Sequence, residues 1–309
     1  MNILFKNLTE INDGFSKKKI FRKSDNKINK IIINFSENKS EYKDFLNIYE
    51  ILNRINISIP QIYEVYPNKN IIVMEDLGDQ NFNKLLNEDD PYDLLKIAVD
   101  SLIVIQNSII YNDICKLQKY SFQNLKTEIS EFVEYYIPFK KIINFNSNEF
   151  YSIWKKIFLD CKFEFKSFVH KDFELINLIF LKNNKYHLKC GIIDFQSAFT
   201  GFIGWDLFSI LENPRINFTR KYNNDLIKYF YEKNNINIDF HMFQNQYYTL
   251  NLARLTRILG RWIKLFNQEN DKKYLMYLKQ TQIRMIYALK YIKNDRLNTI
   301  YKTALVFND

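Results

Sequence analysis

The sequence predicts an α+β fold of two lobes, a small antiparallel-sheet lobe with one helix and a larger, mainly helical lobe. Three observations predict it. Short runs rich in Ile, Val and Phe, separated by Asn, Asp, Ser and Pro, occupy residues 14–74. Long stretches with helical spacing of apolar residues follow residue 79. No repeat or low-complexity linker separates the two regions. We therefore expect an N-terminal lobe of residues 1–77 and a C-terminal lobe of residues 78–309, joined by a hinge.

The strand candidates of the first lobe are residues 19–22, 30–35 and 70–74. Its helix is predicted over residues 40–54, where apolar residues recur at spacings of three or four, and Ser40 is the expected cap. The second lobe is predicted to contain helices over 90–107, 125–136, 148–158 and 247–266. Strand-like residues 167–170, 178–181 and 188–193 predict two β-hairpin arms set into this helical lobe.

Composition excludes disorder and leaves the partner open. The 309 residues are 47% hydrophobic and 17% aromatic, far from the composition of disordered chains. The formal charge of +9 favours polyanions in general, but much of it is Lys dispersed among Asn and Ile, as on a solvated surface. We expect no specific nucleic-acid partner, and a nucleic-acid-binding module is an alternative that rests on charge alone.

Cysteine usage and the lack of apolar runs predict a cytoplasmic protein without a membrane partner, which we expect to be a monomer. The three cysteines, Cys115, Cys161 and Cys190, are odd in number and form no CxxC pair, as expected of buried thiols in a reducing compartment. Residues 1–14 lack the pattern of a signal peptide. No apolar run approaches the ~20 residues that span a bilayer.

Residues 168–178 read FVHKDFELINL and place H-x-D-x-x-x-x-N directly after an apolar strand. Phosphoryl transfer from ATP needs a carboxylate beside the acceptor hydroxyl and oxygen ligands that hold magnesium on the phosphates. In kinase catalytic loops with this spacing, the Asp is the base and the Asn binds metal. The spacing therefore predicts Asp172 as the catalytic residue and Asn177 as a metal ligand, with His170 holding the loop through backbone hydrogen bonds.

A second acidic residue follows at the position where such a site needs one. The buried strand 190–193 ends at Asp194-Phe195, which predicts Asp194 as the principal ligand of Mg2+. Each signal is weak alone, because an Asp after a strand is commonly a turn residue. Their order and spacing together indicate ATP and Mg2+ as cofactors.

At these residues the sequence resembles the aminoglycoside phosphotransferase and choline kinase superfamily, which has a two-lobed protein-kinase-like fold. Within it, the sequence is most similar to bacterial kinases that phosphorylate the anomeric hydroxyl of N-acetylmuramate and N-acetylglucosamine in peptidoglycan recycling. The resemblance lies in residues 73–79, 168–178, 193–207 and 255–265.

The resemblance implies ATP as the nucleotide and an amino sugar as the small-molecule substrate. It implies that adenine contacts backbone groups of the hinge at Glu75, Asp76 and Leu77, although Glu75 and Asp76 also fit a solvated turn. Asp206, in Gly204-Trp205-Asp206-Leu207, is expected to anchor the catalytic loop by hydrogen bonding.

Several positions depart from the family pattern. The turn at residues 12–16 has one glycine where a phosphate-covering loop belongs. In many kinases a lysine in the third strand pairs with the phosphates, whereas residues 31–35 contain no lysine. Ser16 with one of Lys17, Lys18 or Lys19 is a candidate for binding phosphate, and a solvated edge of three lysines is an equal alternative. Residues 174–176 and Ser197 are also atypical, which leaves the substrate in doubt.

The helix over residues 247–266 carries Arg254, Arg257, Arg261 and Lys264 opposite its apolar stripe. Arg binds carboxylates bidentately, so the three arginines are candidates for contact with a carboxylated acceptor such as N-acetylmuramate. A solvated cationic face is the alternative. For the chain as a whole, two further alternatives remain: a kinase of another sugar, an aminoglycoside or choline, and a catalytically silent nucleotide-binding scaffold.

Overall fold

The structure, a computed structural model, describes residues 8–11, 18–24, 29–86, 90–216 and 218–305. The chain divides into two compact units. The first consists of Met1–Ile114 and His170–Phe199, and the second of Cys115–Val169 and Thr200–Asp309. These units differ from the lobes predicted on either side of residue 77, a boundary that stays a prediction. Residues 78–114 and the whole catalytic-loop segment group with the N-terminal sheet.

The strands are short and lie in three sheets. Those in the described residues are β1 (Leu8–Glu10), β2 (Lys19–Lys23), β3 (Lys30–Asn34), β4 (Ile62–Tyr66), β5 (Ile71–Glu75), β6 (Ser167–Val169), β7 (Leu178–Phe180), β8 (Cys190–Ile192) and β9 (Phe199–Gly201).

Helices make up most of the remainder. The described residues form α1 (Lys39–Leu52), α2 (Phe82–Leu85), α3 (Pro91–Ser108), α4 (Tyr111–Ile114), α5 (Phe122–Glu131), α6 (Ile137–Phe139), α7 (Ser147–Asp160), α8 (Trp205–Leu211), α9 (Arg220–Lys233), α10 (Phe240–Glu269), α11 (Leu278–Leu289) and α12 (Asp295–Ala304), with a π-helical turn at Phe132–Tyr136. The predicted α+β class is confirmed.

The first unit is built on a five-stranded sheet in the order β1-β2-β3-β5-β4, with antiparallel neighbours throughout. Because side chains alternate between the faces of a strand, Ile32, Ile71 and Val73 share one face and form a small core there. Phe35 continues the opposite face beyond Ile33 and contacts Phe45 of α1, with 5.7 Å between ring centroids. Helix α1 therefore covers the second face of the sheet.

Helix α1 begins one residue before its predicted start, and its cap is Asn38 rather than Ser40. The Asn38 side chain accepts a hydrogen bond from the Glu41 backbone N–H, so Ser40 lies inside the first turn. Strands β1 and β4 were not predicted, because Leu8–Glu10 is very short and Ile62–Tyr66 alternates weakly in hydrophobicity.

The hairpin of β7 and β8 is hydrogen-bonded to two loop segments, one directly before β4 and one after β5. The Ile192 N–H donates to the Ser58 carbonyl at 2.8 Å, and the Phe180 N–H donates to the Gln80 carbonyl at 2.7 Å. These bonds fix the strand that leads into Asp194. One of the two predicted hairpin arms is therefore this hairpin, whereas β6 pairs with β9 in a separate two-stranded sheet.

In the second unit, the 30-residue helix α10 packs against α5, the π-helical turn and α11. The crossing of α10 and α5 is close at Gly260, where a Cβ atom would lie 2.3 Å from the Glu131 carbonyl carbon and oxygen. A glycine is therefore required at this position by the approach of the two backbones.

The three cysteines differ in their exposure to solvent. All three cysteines are free, but Cys190 alone is buried; Cys161 is half-buried and Cys115 is exposed, so the expectation of three buried thiols is wrong. Among the described residues, none of the helices combines the length and the apolar character needed to cross a membrane.

Candidate active site

The catalytic loop begins where β6 ends. His170 is fully buried and packs edge-on against Phe173, with ring centroids 5.6 Å apart. Lys171, between His170 and Asp172, adopts a left-handed backbone with φ of 78°, an uncommon conformation for a residue with a side chain. The turn it makes leaves Asp172 half-buried while His170 and Phe173 point inward.

His170 is neutral at physiological pH. Burial lowers the pKa of its imidazole to about 4, against smaller upward effects of the Asp194 carboxylate and a hydrogen bond with the backbone of Ile193. A neutral, buried ring that bonds to the backbone of the segment before Asp194 fits the predicted structural role.

Asn177 connects the catalytic loop to the strand that carries Asp194. Its Nδ2 donates to the Asp172 carbonyl at 2.9 Å, and its own carbonyl accepts from the Ile193 N–H at 3.2 Å. The side-chain amide nitrogen of Asn177 thus closes the loop through a hydrogen bond. The amide oxygen is therefore the side-chain atom of Asn177 that is suited to bind a hard cation.

Asp194 also has a left-handed backbone, with φ of 65°. Its Oδ1 accepts hydrogen bonds from Gln196 Nε2 at 3.0 Å and from the Lys18 ammonium, with which it forms an ion pair. Burial alone raises the pKa of Asp194, but the charge of Lys18 and the hydrogen bonds from Lys18 and Gln196 bring it below its ordinary value. The carboxylate is therefore ionised.

Lys18 is a site residue that sequence reasoning left undecided. Its side chain is 5% exposed, and its Nζ lies 3.8 Å from Glu41 Oε1 of α1 in addition to the pair with Asp194. The solvated-edge interpretation is wrong for Lys18, although Lys19 is exposed as that interpretation expected. Ser16 and Lys17 lie outside the described residues.

The hinge residues are held by β2. Arg22 contacts both carboxylate oxygens of Asp76, with its Nε 2.6 Å from Oδ2, and its Nη1 lies 2.7 Å from Asp79 Oδ2. Asp76 also accepts from the Gly78 N–H at 2.9 Å, and its side chain is 4% exposed, so the solvated-turn interpretation is wrong for the Asp76 side chain. This network braces the segment whose backbone is predicted to contact adenine.

Glu75 and Leu77 contribute in different ways to the same segment. The Glu75 N–H donates to the Gln61 carbonyl at 2.8 Å, so an adenine contact from Glu75 would have to use its carbonyl. The Leu77 side chain packs over Gly191, where a Cβ atom would be 2.8 Å from Leu77 Cδ1. Gly191 thereby allows the hinge and β8 to approach each other.

The oxygen donors fit magnesium in their chemistry. Mg2+ takes one or two protein carboxylates together with phosphate and water, and Asp194 with the Asn177 amide oxygen is a donor set of that kind. The part of the chain that the structure describes has no group of three or more His, Cys, Asp or Glu side chains placed to bind a metal.

The remaining predicted site residues belong to the second unit. Asp206 is 2% exposed in the first turn of α8, and its role as the anchor of the catalytic loop stays a prediction. Arg254 is 3% exposed, which contradicts a solvated cationic face at that position. Arg261 is paired with Glu131, to which its Nε and Nη2 donate at 2.7 and 2.5 Å. Acceptor binding by Arg254, Arg257 and Arg261 stays a prediction.

Comparison with known proteins agrees with the fold. No protein-family model matches the chain. An N-acetylmuramate/N-acetylglucosamine kinase of Caulobacter vibrioides is 26% identical over 237 residues, which cover 74% of this chain and 65% of the relative, just under two thirds of its length.

Solved structures with a similar fold include a spectinomycin phosphotransferase in complex with ADP and spectinomycin. It has 15% sequence identity and a TM-score of 0.58 over 92% of this chain and 93% of the other. A choline/ethanolamine kinase family protein from Mesorhizobium loti has 10% identity and a TM-score of 0.59, over 99% and 95% of the two chains. The chain therefore has a fold similar to that of the spectinomycin phosphotransferase and of the choline/ethanolamine kinase family protein.

Proposed function

We propose that this protein is an ATP-dependent phosphotransferase that acts on a small-molecule hydroxyl, the anomeric hydroxyl of N-acetylmuramate or N-acetylglucosamine. The observation that carries the proposal is the position of Asn177. Its side chain is bonded to the backbone of Asp172 and its backbone to the residue before Asp194. One residue thus ties together the candidate base and the candidate metal ligand, the parts that phosphoryl transfer from ATP requires.

In the proposed reaction the acceptor oxygen forms a bond to the γ-phosphorus while the bond to the leaving ADP oxygen breaks. Asp172 orients the acceptor hydroxyl and accepts its proton. Asn177 and Asp194 provide the oxygens that would hold Mg2+, which supplies charge neutralisation at the phosphates when it is bound. His170, neutral and buried, keeps the loop in shape without taking part in proton transfer. Most of the rate enhancement would come from positioning and charge neutralisation.

The choice of an amino sugar as acceptor rests on similarity to the Caulobacter kinase and on the arginines of α10. A carboxylated acceptor such as N-acetylmuramate would suit Arg254 and Arg257, whereas a cationic aminoglycoside or choline would not. The buried Lys18, which pairs with Asp194 and Glu41, counts against a catalytically silent scaffold, because it supplies a cation beside the candidate metal site.

The test is ADP release in a coupled assay with N-acetylmuramate, N-acetylglucosamine, simple hexoses, choline and an aminoglycoside as acceptors. We expect the two amino sugars to give the highest kcat/KM. Asp172→Ala should lower kcat by at least about 10²-fold, because it removes the general base, while nucleotide still binds. Nucleotide binding without ADP release from any acceptor would favour the scaffold, and undiminished turnover by Asp172→Ala would refute the role of Asp172.

A further inference from the structure

Lys18 stands between two carboxylates in the first unit. Among the lysines that the structure describes, Lys18 is the one that is buried. Its ammonium is paired with Asp194 and lies 3.8 Å from Glu41 Oε1. A buried ammonium is costly unless it is paired, so both carboxylates contribute to keeping it in place.

The position of Lys18 follows from the register of the sheet. Ile20 of β2 and Ile33 of β3 are directly opposite each other and therefore share one face. Lys18 precedes Ile20 by two residues and continues that face, which α1 covers and from which Glu41 reaches it. On β3 the residues of this face are Ile31 and Ile33, and the Lys30 side chain lies 3.8 Å from Glu64 of β4. Of the cations on this face, Lys18, directly before β2, pairs with Asp194, whereas Arg22 of β2 pairs with Asp76 and Asp79.

Lys18 and a metal ion would compete for the Asp194 carboxylate. The carboxylate that is predicted to bind Mg2+ already forms an ion pair with Lys18, and two cations cannot both bind it closely without repelling each other. Glu41 offers Lys18 a second carboxylate within 4 Å, so the ammonium can leave Asp194 without losing every anionic partner.

We propose that Lys18, directly before β2, binds the nucleotide phosphates in place of a lysine in the interior of β3, and that it occupies Asp194 until nucleotide and metal arrive together. This rests on the proposed function. When nucleotide binds, phosphate oxygens and Glu41 take over the ammonium, and Asp194 is released to the metal. Lys18 therefore makes metal binding at Asp194 weak without nucleotide and couples the two binding events.

The experiment compares wild-type protein with Lys18→Met in two binding measurements. Mn2+ alone, followed by its electron paramagnetic resonance signal, should bind the variant about ten-fold more tightly, because Asp194 loses its competing cation. Mg-ATP, titrated by calorimetry without acceptor, should bind the variant at least about ten-fold more weakly, because a charge-assisted contact to phosphate is lost. Lys19→Met is the matched control: Lys19 is adjacent but exposed, and both affinities should stay as in wild type.

Glu41→Gln is the second variant, and it keeps the proposal testable if Lys18→Met does not fold. It should weaken Mg-ATP binding and leave Mn2+ binding unchanged, because Lys18 still occupies Asp194. Unchanged Mg-ATP affinity in Lys18→Met would overturn the phosphate contact, and unchanged Mn2+ affinity would overturn the exchange at Asp194. Failure of the proposed function looks different: wild-type protein would bind Mg-ATP but phosphorylate no acceptor, whatever the effect of Lys18→Met.

Discussion

The carboxylate of Asp194 is bonded on one side to Gln196 and on the other to Lys18, and its backbone is left-handed. Such conformations cost about 1–3 kcal/mol and persist where surrounding contacts over-determine them. Here the surrounding contacts are the hydrogen bonds of Ile192 to Ser58 and of Ile193 to Asn177. At the residue scale, the site is a set of ionised or neutral groups whose charge states are determined by burial and by close partners.

His170 gives the first prediction at this scale. Its pKa is about 4 in the folded protein and about 6.5 when unfolded, so the unfolded chain binds more protons between these values. Stability should therefore fall as the pH is lowered from about 6.5 to 4, by up to about 3 kcal/mol from this residue. The free energy of unfolding, measured with urea at pH 7 and pH 5, should fall less between these pH values for His170→Gln than for wild type.

The matched control for this measurement is His241→Gln. His241 is exposed, so its replacement should leave the pH dependence of unfolding as it is in wild type. Equal losses of stability for wild type and His170→Gln would show that His170 is not buried in its neutral form.

At the scale of elements, the crossing of α10 and α5 depends on one glycine and one ion pair. Gly260 lies against the backbone of Glu131. The next residue, Arg261, donates two hydrogen bonds to the Glu131 side chain. The chain changes from α-helix to π-helix directly after Glu131. A π-helical turn often marks a functional position, and here it directly follows Glu131, where the backbones of α10 and α5 approach closely.

Gly260→Ala is the prediction for this crossing. In a helix interior, Gly→Ala normally stabilises by about 1 kcal/mol. Here the new methyl group would meet backbone atoms at 2.3 Å, so the helices must move apart and we expect a net loss of about 1–3 kcal/mol. Thermal unfolding measures it, with Gln268→Ala at an exposed position of α10 as a control that should be close to neutral. A stabilised Gly260→Ala protein would contradict the close crossing.

At the scale of the whole molecule, the residues predicted to bind nucleotide and metal belong to one compact unit, although the chain leaves that unit between residues 115 and 169. The second unit has its own buried charge network, which joins three helical segments. Glu212, at the end of α8, bonds to Arg220 of α9 at 2.5 Å and to Arg284 of α11 at 2.9 Å, and both Glu212 and Arg284 are 1% exposed.

Glu212→Gln should be strongly destabilising, by about 3–5 kcal/mol, because it leaves the buried Arg284 without its carboxylate. Chemical denaturation provides the measurement. Glu232→Gln removes an exposed pair with Lys228 at 3.8 Å and should cost less than about 1 kcal/mol. If the two variants were equally stable, Glu212 would not be holding the helices of this unit together.

Much of the fold follows from local patterns. Asp172, Asn177 and Asp194 could be proposed as site residues because Asp172 and Asp194 each come after an apolar strand and Asn177 lies five positions after Asp172, and their roles stay predictions. The ends of α1 and α3 were predicted within two residues, since periodicity is a local property.

What could not be predicted depends on contacts between residues far apart in the sequence. Lys18 and Asp194 are separated by 176 positions, and three consecutive lysines give no indication of which one is buried. Arg261 looked like part of a binding surface because its partner, Glu131, is 130 residues away. Ion pairs of this kind depend on tertiary packing, which cannot be inferred from hydrophobic periodicity.

The measurement that tests the central claim most directly is 31P nuclear magnetic resonance of the product formed from ATP and N-acetylmuramate. The account predicts the signal of a sugar phosphate at the anomeric position, formed together with ADP by wild-type protein and lost in Asp172→Asn. Absence of any phosphorylated sugar, with N-acetylmuramate and with N-acetylglucosamine, or an equal signal from Asp172→Asn, would contradict it.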